Sequence, residues 1–189
     1  MKFTLVRHGE IDDPRPGLSE IGHDDPALTA YGRRQSAALA QELMGAQDGG
    51  EQIDALYTSP LRAARTTAET LSAVLGVGDP RVASELATLT PEVVPDGDTS
   101  AVEAIQQRAW ELILGLKDQF EQSATVVLVT HDLTIRALVC KALDMPIADM
   151  LRFDLEPASL TTIEFRIQRD GRERTLLAAL NDTCHVEAV

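Results

Sequence analysis

The chain has 189 residues, which is enough for one compact domain with a substantial core and short for two. Its hydrophobic share of 44% is ordinary for a globular protein and argues against a disordered chain. The formal net charge of −13 argues against non-specific binding to nucleic acid or to an anionic membrane, since both need clustered positive charge. We therefore predict one globular domain over residues 1–189.

The cellular location is predicted from what the sequence lacks. No apolar run approaches the roughly 18–20 residues that span a bilayer, and the first residues turn polar too early for a signal peptide. Cys140 and Cys184 do not make a disulfide framework, and no Cys-x-x-Cys pair suggests zinc. A cytoplasmic protein without a membrane partner is expected. Neither charge nor periodicity indicates its oligomeric state.

The N-terminal half alternates short strands and helices. Residues 2–6 (KFTLV) are apolar or β-branched before a polar stop, which predicts a strand. Thr29 is a good helix cap, and an apolar stripe behind it predicts a helix to about residue 44. Further predicted elements are a strand at Ala55–Thr58, a helix beginning at Ser59-Pro60 and running to residue 75, and a small strand at 81–83. Residues 11–26 and 88–99 are predicted to be irregular.

The C-terminal half continues the alternation and fixes the predicted fold class. Residues 124–130 (ATVVLVT) have the composition of a central buried strand. Around it we predict helices at 100–120 and 133–143 and final strands at Leu160–Ile167 and 175–180. This order of elements predicts an α/β fold, a three-layer αβα sandwich with a central, mostly parallel sheet.

Basic side chains follow three of the predicted strands. Arg7 and His8 follow the first strand, Arg62 follows the second, and His131 follows the strand at 124–130. Ligands of open α/β sheets bind at the carboxyl ends of the strands, so these groups meet at one edge if the strands are neighbours. Arginine presents a planar fork of donors that matches phosphate oxygens. A local cluster of arginines also offsets the negative net charge, which would otherwise repel a phosphorylated substrate.

These residue types suit phosphoryl transfer through a covalent intermediate. A nucleophilic histidine must be neutral, and nearby guanidinium groups disfavour its protonation. The same cations stabilise the charge on the phosphoryl oxygens. The helix after His131 adds backbone N–H donors, and Gly9 allows the backbone to approach a ligand closely. We predict that substrate is bound by a set at these strand ends: Arg7, Gly9, Glu10, Arg62, His131 and Asp132.

Several segments together resemble one known family. Arg7-His8-Gly9-Glu10 at the end of the first strand resembles the signature of the histidine phosphatase superfamily, the phosphoglycerate mutase-like proteins. A lone Arg-His-Gly would be weak, but further similar segments follow in the family's order along nearly the whole chain. They are residues 28–36, 59–68, 97–99 with Arg108, 129–131 and 180–185.

The resemblance implies a mechanism and assigns roles. His8 would form a phosphohistidine that water later hydrolyses, with no metal or other cofactor. Arg62 corresponds to the family's second phosphate-binding arginine, and His131 to its second histidine. An acidic residue after the third strand would protonate the leaving oxygen; Glu85 is our candidate and Glu92 the rival. The short chain favours hydrolysis of a phosphomonoester over phosphoglycerate mutase-type transfer.

The chain departs from the family's pattern near the phosphate. Ile11 and Pro14 stand where many members carry a hydroxyl residue and an asparagine, and Asp132 stands where glycine is usual. A carboxylate at 132 would weaken anion binding unless its side chain turns away. Sugar phosphates, phosphorylated carboxylic acids, nucleotide-derived phosphates and phosphoproteins all stay open as substrates.

Other interpretations of the same residues remain. A non-catalytic phosphate-binding protein on this fold is one. A metal site is another, although the flanking arginines would repel a cation and the usual ligand spacings are absent; it would be built from His8, Glu10, His131 and Asp132. Arg62 has ion-pair alternatives in Asp54 and Glu69, and Glu10 has one in Arg7. Cys140 lies on an apolar helix face, which indicates a core residue.

Overall fold

A computed structural model describes residues 1–12, 25–88 and 99–186 of the chain. Six strands form one sheet, and they are β1 (Lys2–Arg7), β2 (Ala55–Thr58), β3 (Arg81–Val82), β4 (Thr125–Thr130), β5 (Leu160–Ile167) and β6 (Glu173–Asp182). Their spatial order is β3-β2-β4-β1-β5-β6. The first four strands are mutually parallel, whereas β5 and β6 run antiparallel to their neighbours. The predicted mostly parallel sheet is confirmed.

Helices cover both faces of this sheet. They are α1 (Ala30–Asp48), α2 (Arg62–Leu75), α3 (Ser100–Gln119) and α4 (Asp132–Ala142). One core cluster joins the sheet to α3 and α4, and a second joins its other face to α1 and α2. Strand β4 serves both clusters, because Val126 and Leu128 point into the first while Val127 and Val129 point into the second. The three-layer αβα sandwich is therefore confirmed, and none of the helices described here is long and apolar enough to cross a membrane.

The strand order brings the predicted site together. Strand β4 lies between β2 and β1, with Thr58 paired to Val129 and Arg7 paired to Thr130. Since all three strands are parallel, their carboxyl ends share one edge of the sheet. The residues that follow these strands therefore converge, as the sequence predicts.

The predicted helices differ from the observed ones mainly at their ends. Thr29 caps α1 by accepting a hydrogen bond from the N–H of Gly32 at 2.9 Å, and the helix continues to Asp48 rather than to about residue 44. Helix α2 begins at Arg62, so the prediction that Pro60 occupies its first turn is wrong. The hydroxyl of Ser59 accepts the N–H of Leu61 at 3.3 Å, which holds residues 59–61 in a turn before the helix starts.

Short 3-10 turns supply structure that periodicity does not indicate. They occur at Ser84–Leu86, Ile147–Arg152 and Cys184–Val186. Each is too short to show a hydrophobic repeat. The predicted irregular segments lie mostly outside the described residues, which resume at 25 and at 99.

Candidate active site

The two histidines named by the sequence lie side by side at the edge of the sheet. The ring centroids of His8 and His131 are 5.1 Å apart, and the ring planes meet at 68°. Each residue is only 2% exposed. Two nearly buried imidazoles in edge-to-face contact form the centre of the candidate site.

The orientation of His8 is fixed through its backbone and its ring. Nδ1 lies 2.7 Å from the carbonyl oxygen of Gly9. Because a carbonyl oxygen only accepts, Nδ1 carries the proton, and in the neutral ring the lone pair is then on Nε2. The His8 N–H donates to the carbonyl of Thr130 at 3.1 Å, and the His8 carbonyl accepts from Ala158 at 3.0 Å. His8 is therefore held in the tautomer that a nucleophile at Nε2 requires.

His131 is held by a serine that the sequence analysis did not assign to the site. Its Nε2 lies 2.8 Å from the hydroxyl oxygen of Ser59, which is fully buried. Ser59 immediately follows β2, and His131 immediately follows the neighbouring strand β4. Its position directly after a predicted strand was the available signal, but Ser59 was interpreted as a helix start and as part of the family-like segment 59–68, with no role at the site.

Arg7 is half-buried and contacts a segment far along the chain. Its guanidinium donates to the carbonyl oxygen of Leu155, and its backbone N–H donates to the carbonyl of Ser159 at 3.2 Å. Leu155 and Ser159 both lie in the loop between the 3-10 turn Ile147–Arg152 and β5, so this loop fixes the position of Arg7.

Arg62 is exposed at the first position of α2. Its backbone N–H donates to the carboxylate of Asp25 at 2.7 Å. The ion pairs considered as alternatives are not formed, because Glu69 faces Arg65 at 3.8 Å and Asp54 accepts the N–H of Thr125 at 2.8 Å. The phosphate role of Arg62 stays a prediction.

The structure gives a reason for glycine at position 9 that differs from the predicted approach of a ligand. A Cβ on Gly9 would lie 2.4 Å from the carbonyl oxygen of Gly32, and a Cβ on Gly32 would lie 2.1 Å from the carbonyl oxygen of Glu10. The two glycines therefore allow the loop after β1 to pack directly on the start of α1. The N–H of Gly9 donates to the hydroxyl of Thr67 at 3.2 Å. Close packing on α1 thus accounts for this glycine, and its contact with substrate stays a prediction.

Glu10 connects the site to the same helix. Its carboxylate accepts from the hydroxyl of Thr29 at 2.8 Å, and its N–H donates to the side chain of Gln35 at 2.8 Å. The observed contacts of Glu10 are with α1, and its predicted contact with substrate has no support from them.

Asp132 is the first residue of α4, directly after His131. Its carboxylate accepts from Nε of Arg136 at 2.5 Å, one helical turn along. The side chain is thus drawn towards Arg136, as phosphate binding beside an aspartate would require.

Glu85 lies in the 3-10 turn after β3 and is half-buried. The backbone around it is held from two elements. The hydroxyl of Thr130 donates to the carbonyl of Leu86 at 2.6 Å, while Arg108 donates to the carbonyls of Glu85, at 3.4 Å, and Ala87. Arg108, which the sequence matched only by resemblance, therefore fixes the segment that carries the candidate acid. The rival Glu92 and the departure at Pro14 lie outside the described residues.

The metal interpretation requires a cluster of side chains that can bind a cation. Among residues 1–12, 25–88 and 99–186, no group of three or more His, Cys, Asp or Glu side chains is arranged to hold a metal ion. The site at the sheet edge is defined by imidazole, guanidinium and hydroxyl groups.

The sequence and the fold together define the class of protein. The family model described as histidine phosphatase superfamily (branch 1) matches residues 3–89 and 85–179. The chain belongs to this superfamily. The predicted enzyme class, a phosphatase that hydrolyses phosphomonoesters by means of histidine, is confirmed at the level of the family.

The individual relatives have low sequence identity to this chain. Phosphoserine phosphatase 1 of Hydrogenobacter thermophilus is 24% identical over 98% of this chain and 94% of its own length. A 2,3-bisphosphoglycerate-dependent phosphoglycerate mutase of Thermoplasma acidophilum is 27% identical over 87% of this chain and 88% of its own. A solved histidine-to-alanine mutant of Entamoeba histolytica phosphoserine phosphatase, in complex with phosphoserine, superposes with a TM-score of 0.77. The superposition covers 97% of this chain and 98% of the mutant phosphatase, with 22% sequence identity. At this identity the similarity shows that the two proteins share a fold.

Proposed function

We propose that this protein hydrolyses small phosphomonoesters through a phosphohistidine formed on Nε2 of His8. One observation carries the proposal: Nδ1 of His8 is bonded to the carbonyl of Gly9, so the lone pair of the neutral ring is on Nε2. The ring is buried against His131 at the edge where three strands end. A neutral, immobilised imidazole is the form of histidine that attacks phosphorus.

The chemistry takes two steps. In the first, Nε2 of His8 forms a bond to phosphorus as the bond from phosphorus to the ester oxygen breaks, and Glu85 gives that oxygen its proton. In the second, the oxygen of a water molecule bonds to phosphorus as the bond from phosphorus to Nε2 of His8 breaks. Glu85 takes up the water's proton, and inorganic phosphate leaves the regenerated His8. Arg7, Arg62 and His131 bind the phosphoryl oxygens throughout, where negative charge accumulates. No metal ion has a role in either step.

The assignment of Glu85 rests on how firmly its segment is held. Thr130 directly precedes His131, and its hydroxyl holds the carbonyl of Leu86, next to Glu85. Arg108 holds the flanking carbonyls from α3. A general acid needs a fixed distance to the leaving oxygen, and this double attachment supports Glu85 for that role.

The substrate class is narrowed by the relatives. The curated relatives named above are a phosphoserine phosphatase and a phosphoglycerate mutase. We propose a small phosphorylated carboxylic acid as substrate, with phosphoserine and 3-phosphoglycerate as the first compounds to test. We also propose that residues 1–189 form one domain that acts in the cytoplasm, without nucleic-acid or membrane partners. Cys140 and Cys184 form no disulfide, which agrees with a reducing compartment.

Mutase-type transfer is the second candidate function. The relative from Thermoplasma acidophilum is matched over 88% of its length, so a mutase need not be much longer than this chain. The short length of the chain is therefore a weak argument against transfer. An assay for transfer between phosphoglycerates, with 2,3-bisphosphoglycerate present, has to accompany the hydrolysis assay.

The deciding experiment measures release of inorganic phosphate, with a chelator present, from phosphoserine, 3-phosphoglycerate, a sugar phosphate, a nucleotide and an aryl phosphate. His8→Ala is expected to lose activity by on the order of a thousandfold or more. Wild type quenched during turnover should carry acid-labile, alkali-stable phosphate, and His8→Ala should carry none.

Four outcomes would contradict the proposal. Loss of less than about tenfold in His8→Ala would exclude a covalent role for this histidine. Strong inhibition by the chelator would revive the metal interpretation. Phosphate binding without turnover of any compound would favour a non-catalytic binding protein, and faster transfer than hydrolysis would favour a mutase.

A further inference from the structure

The residue after His131 places a negative charge beside the proposed phosphate site. Asp132 begins α4, and the side chain is 27% exposed. A carboxylate next to a bound phosphate is a like-charge contact, which disfavours binding. The backbone N–H groups at the same helix start favour an anion. Whether residue 132 helps or hinders phosphate binding therefore depends on where its carboxylate is held.

Arg136 holds that carboxylate. Its Nε donates to Oδ1 of Asp132 at 2.5 Å, and its side chain is only 9% exposed. An aspartate one turn before an arginine on a helix is the favourable order for such a pair. The pair neutralises Asp132 and directs the carboxylate along α4, away from the helix start.

Further contacts fix the guanidinium of Arg136 in this place. It donates to the carbonyl oxygens of Phe153 and of Met150, the latter at 3.1 Å, and lies 5.7 Å from the ring centroid of Phe153. A second carboxylate, Asp154, is 3.3 Å away, but its side chain is 90% exposed and therefore well screened. Carbonyls orient the cation without neutralising it, so the half-buried carboxylate of Asp132 is its main counter-charge.

We propose that Arg136 is a positioning residue for phosphate binding, which it supports by neutralising Asp132 and holding its carboxylate away from the anion. The proposal rests on the proposed function, since it takes the edge beside His131 as the phosphate site. It accounts for an aspartate at a position where the family usually has glycine. The structure pairs that aspartate with a buried arginine.

The test is a double-mutant cycle read out by the binding of inorganic phosphate in calorimetry, with kcat and KM measured alongside. Arg136→Met is expected to weaken phosphate binding by about tenfold or more, because the Asp132 carboxylate loses the positive charge of Arg136 near the anion. Adding Asp132→Asn to that variant should reverse at least half of the change in log Kd for phosphate. The loss should appear mainly in KM and should shrink at high ionic strength.

A purely structural role for Arg136 predicts a different result. If Arg136 matters only because it holds the carbonyls of Met150 and Phe153, the double variant will be as impaired as Arg136→Met, and the proposal is wrong. Arg152→Met is the matched control, since it deletes an exposed arginine paired with Asp149 at 3.5 Å. It should bind phosphate like the wild type.

Arg136→Lys keeps the test decisive if Arg136→Met does not fold. Lysine retains the charge but loses the fork of donors, so phosphate affinity should fall by less than about threefold while Tm drops. A loss of about tenfold or more in Arg136→Lys would overturn the electrostatic argument. Failure of the wild type itself to bind or hydrolyse phosphate compounds would count against the proposed function. If the wild type binds phosphate but Asp132→Asn does not restore the affinity of Arg136→Met, only the role of Arg136 is contradicted.

Discussion

Nε2 of His185 donates a hydrogen bond to the carbonyl oxygen of Ala158 at 2.9 Å, and the N–H of Ala158 donates to the carbonyl of His8. Ala158 has a φ of 61°, a left-handed conformation that an alanine adopts only at some cost. Asn181 supports the same loop by accepting the N–H of Glu156 at 2.6 Å. The C-terminal segment thus holds the backbone against which the proposed nucleophile rests.

Removing the His185 side chain should therefore impair catalysis from a distance. In His185→Ala the loop loses a half-buried donor, and we expect kcat to fall by about tenfold, since small displacements of catalytic groups are costly. His185→Gln keeps a donor at the end of the side chain and should restore most of the rate. Steady-state kinetics with Tm measured in parallel checks this, and equal losses in both variants would contradict it.

The identity of the general acid can be tested with leaving groups of different basicity. Glu85→Gln should reduce kcat by about 100-fold or more on phosphoserine, whose alkoxide must be protonated as it departs. An aryl phosphate has a good leaving group, so its turnover should fall much less.

Glu92→Gln is the matched control for this test. It removes the rival carboxylate and should leave the ratio of the turnover rates on phosphoserine and on the aryl phosphate unchanged. A selective loss in Glu92→Gln, with Glu85→Gln behaving like the wild type, would transfer the acid role to residue 92.

The fold could be predicted because its signals are local. Apolar strands alternating with amphipathic helices indicate the strands and the four long helices, and strand β4, apolar on both sides, marks the centre of the sheet. The chemistry of the site was also visible, since Arg7, His8 and His131 follow strands that proved to be neighbours. Parallel strands with polar ends are enough to predict this convergence.

What could not be predicted depends on contacts between distant segments. Ser59 bonds to a histidine 72 positions away, and Arg7 contacts Leu155, so no spacing in the sequence indicates either pair. The orientation of the Asp132 side chain depends on Arg136, which has the right helical spacing but also four other groups around it. The steric limit at Gly9 comes from α1, a distant segment that the sequence did not place against this glycine.

The two cysteines should differ sharply in reactivity. Cys140 is fully buried, and burial raises the pKa of its thiol, so little thiolate forms near pH 8. Cys184 is exposed. We expect one thiol per chain to react with a thiol reagent under native conditions, and both to react in denaturant. Cys184→Ser should abolish the native reaction, and rapid labelling of Cys140 in the folded protein would show that α4 opens readily.

The contact between Gly9 and Gly32 gives a prediction about stability. An alanine at either position would place its Cβ less than 2.5 Å from a backbone carbonyl oxygen, so the loop after β1 must move away from α1. Gly9→Ala and Gly32→Ala should each lower the free energy of unfolding by about 1–3 kcal/mol. Because both disturb the same contact, the double variant should lose less than the sum of the two.

Gly45 provides the control for these substitutions. It lies in the interior of α1, is exposed, and a Cβ there meets nothing within 4 Å. Gly45→Ala should therefore raise the free energy of unfolding by about 0.5–1 kcal/mol, because alanine restricts the unfolded chain and favours the helix. Denaturant unfolding of all four variants measures these changes. If Gly9→Ala were as stable as Gly45→Ala, the loop after β1 would not be packed against α1, and the backbone that sets the His8 tautomer would need another support.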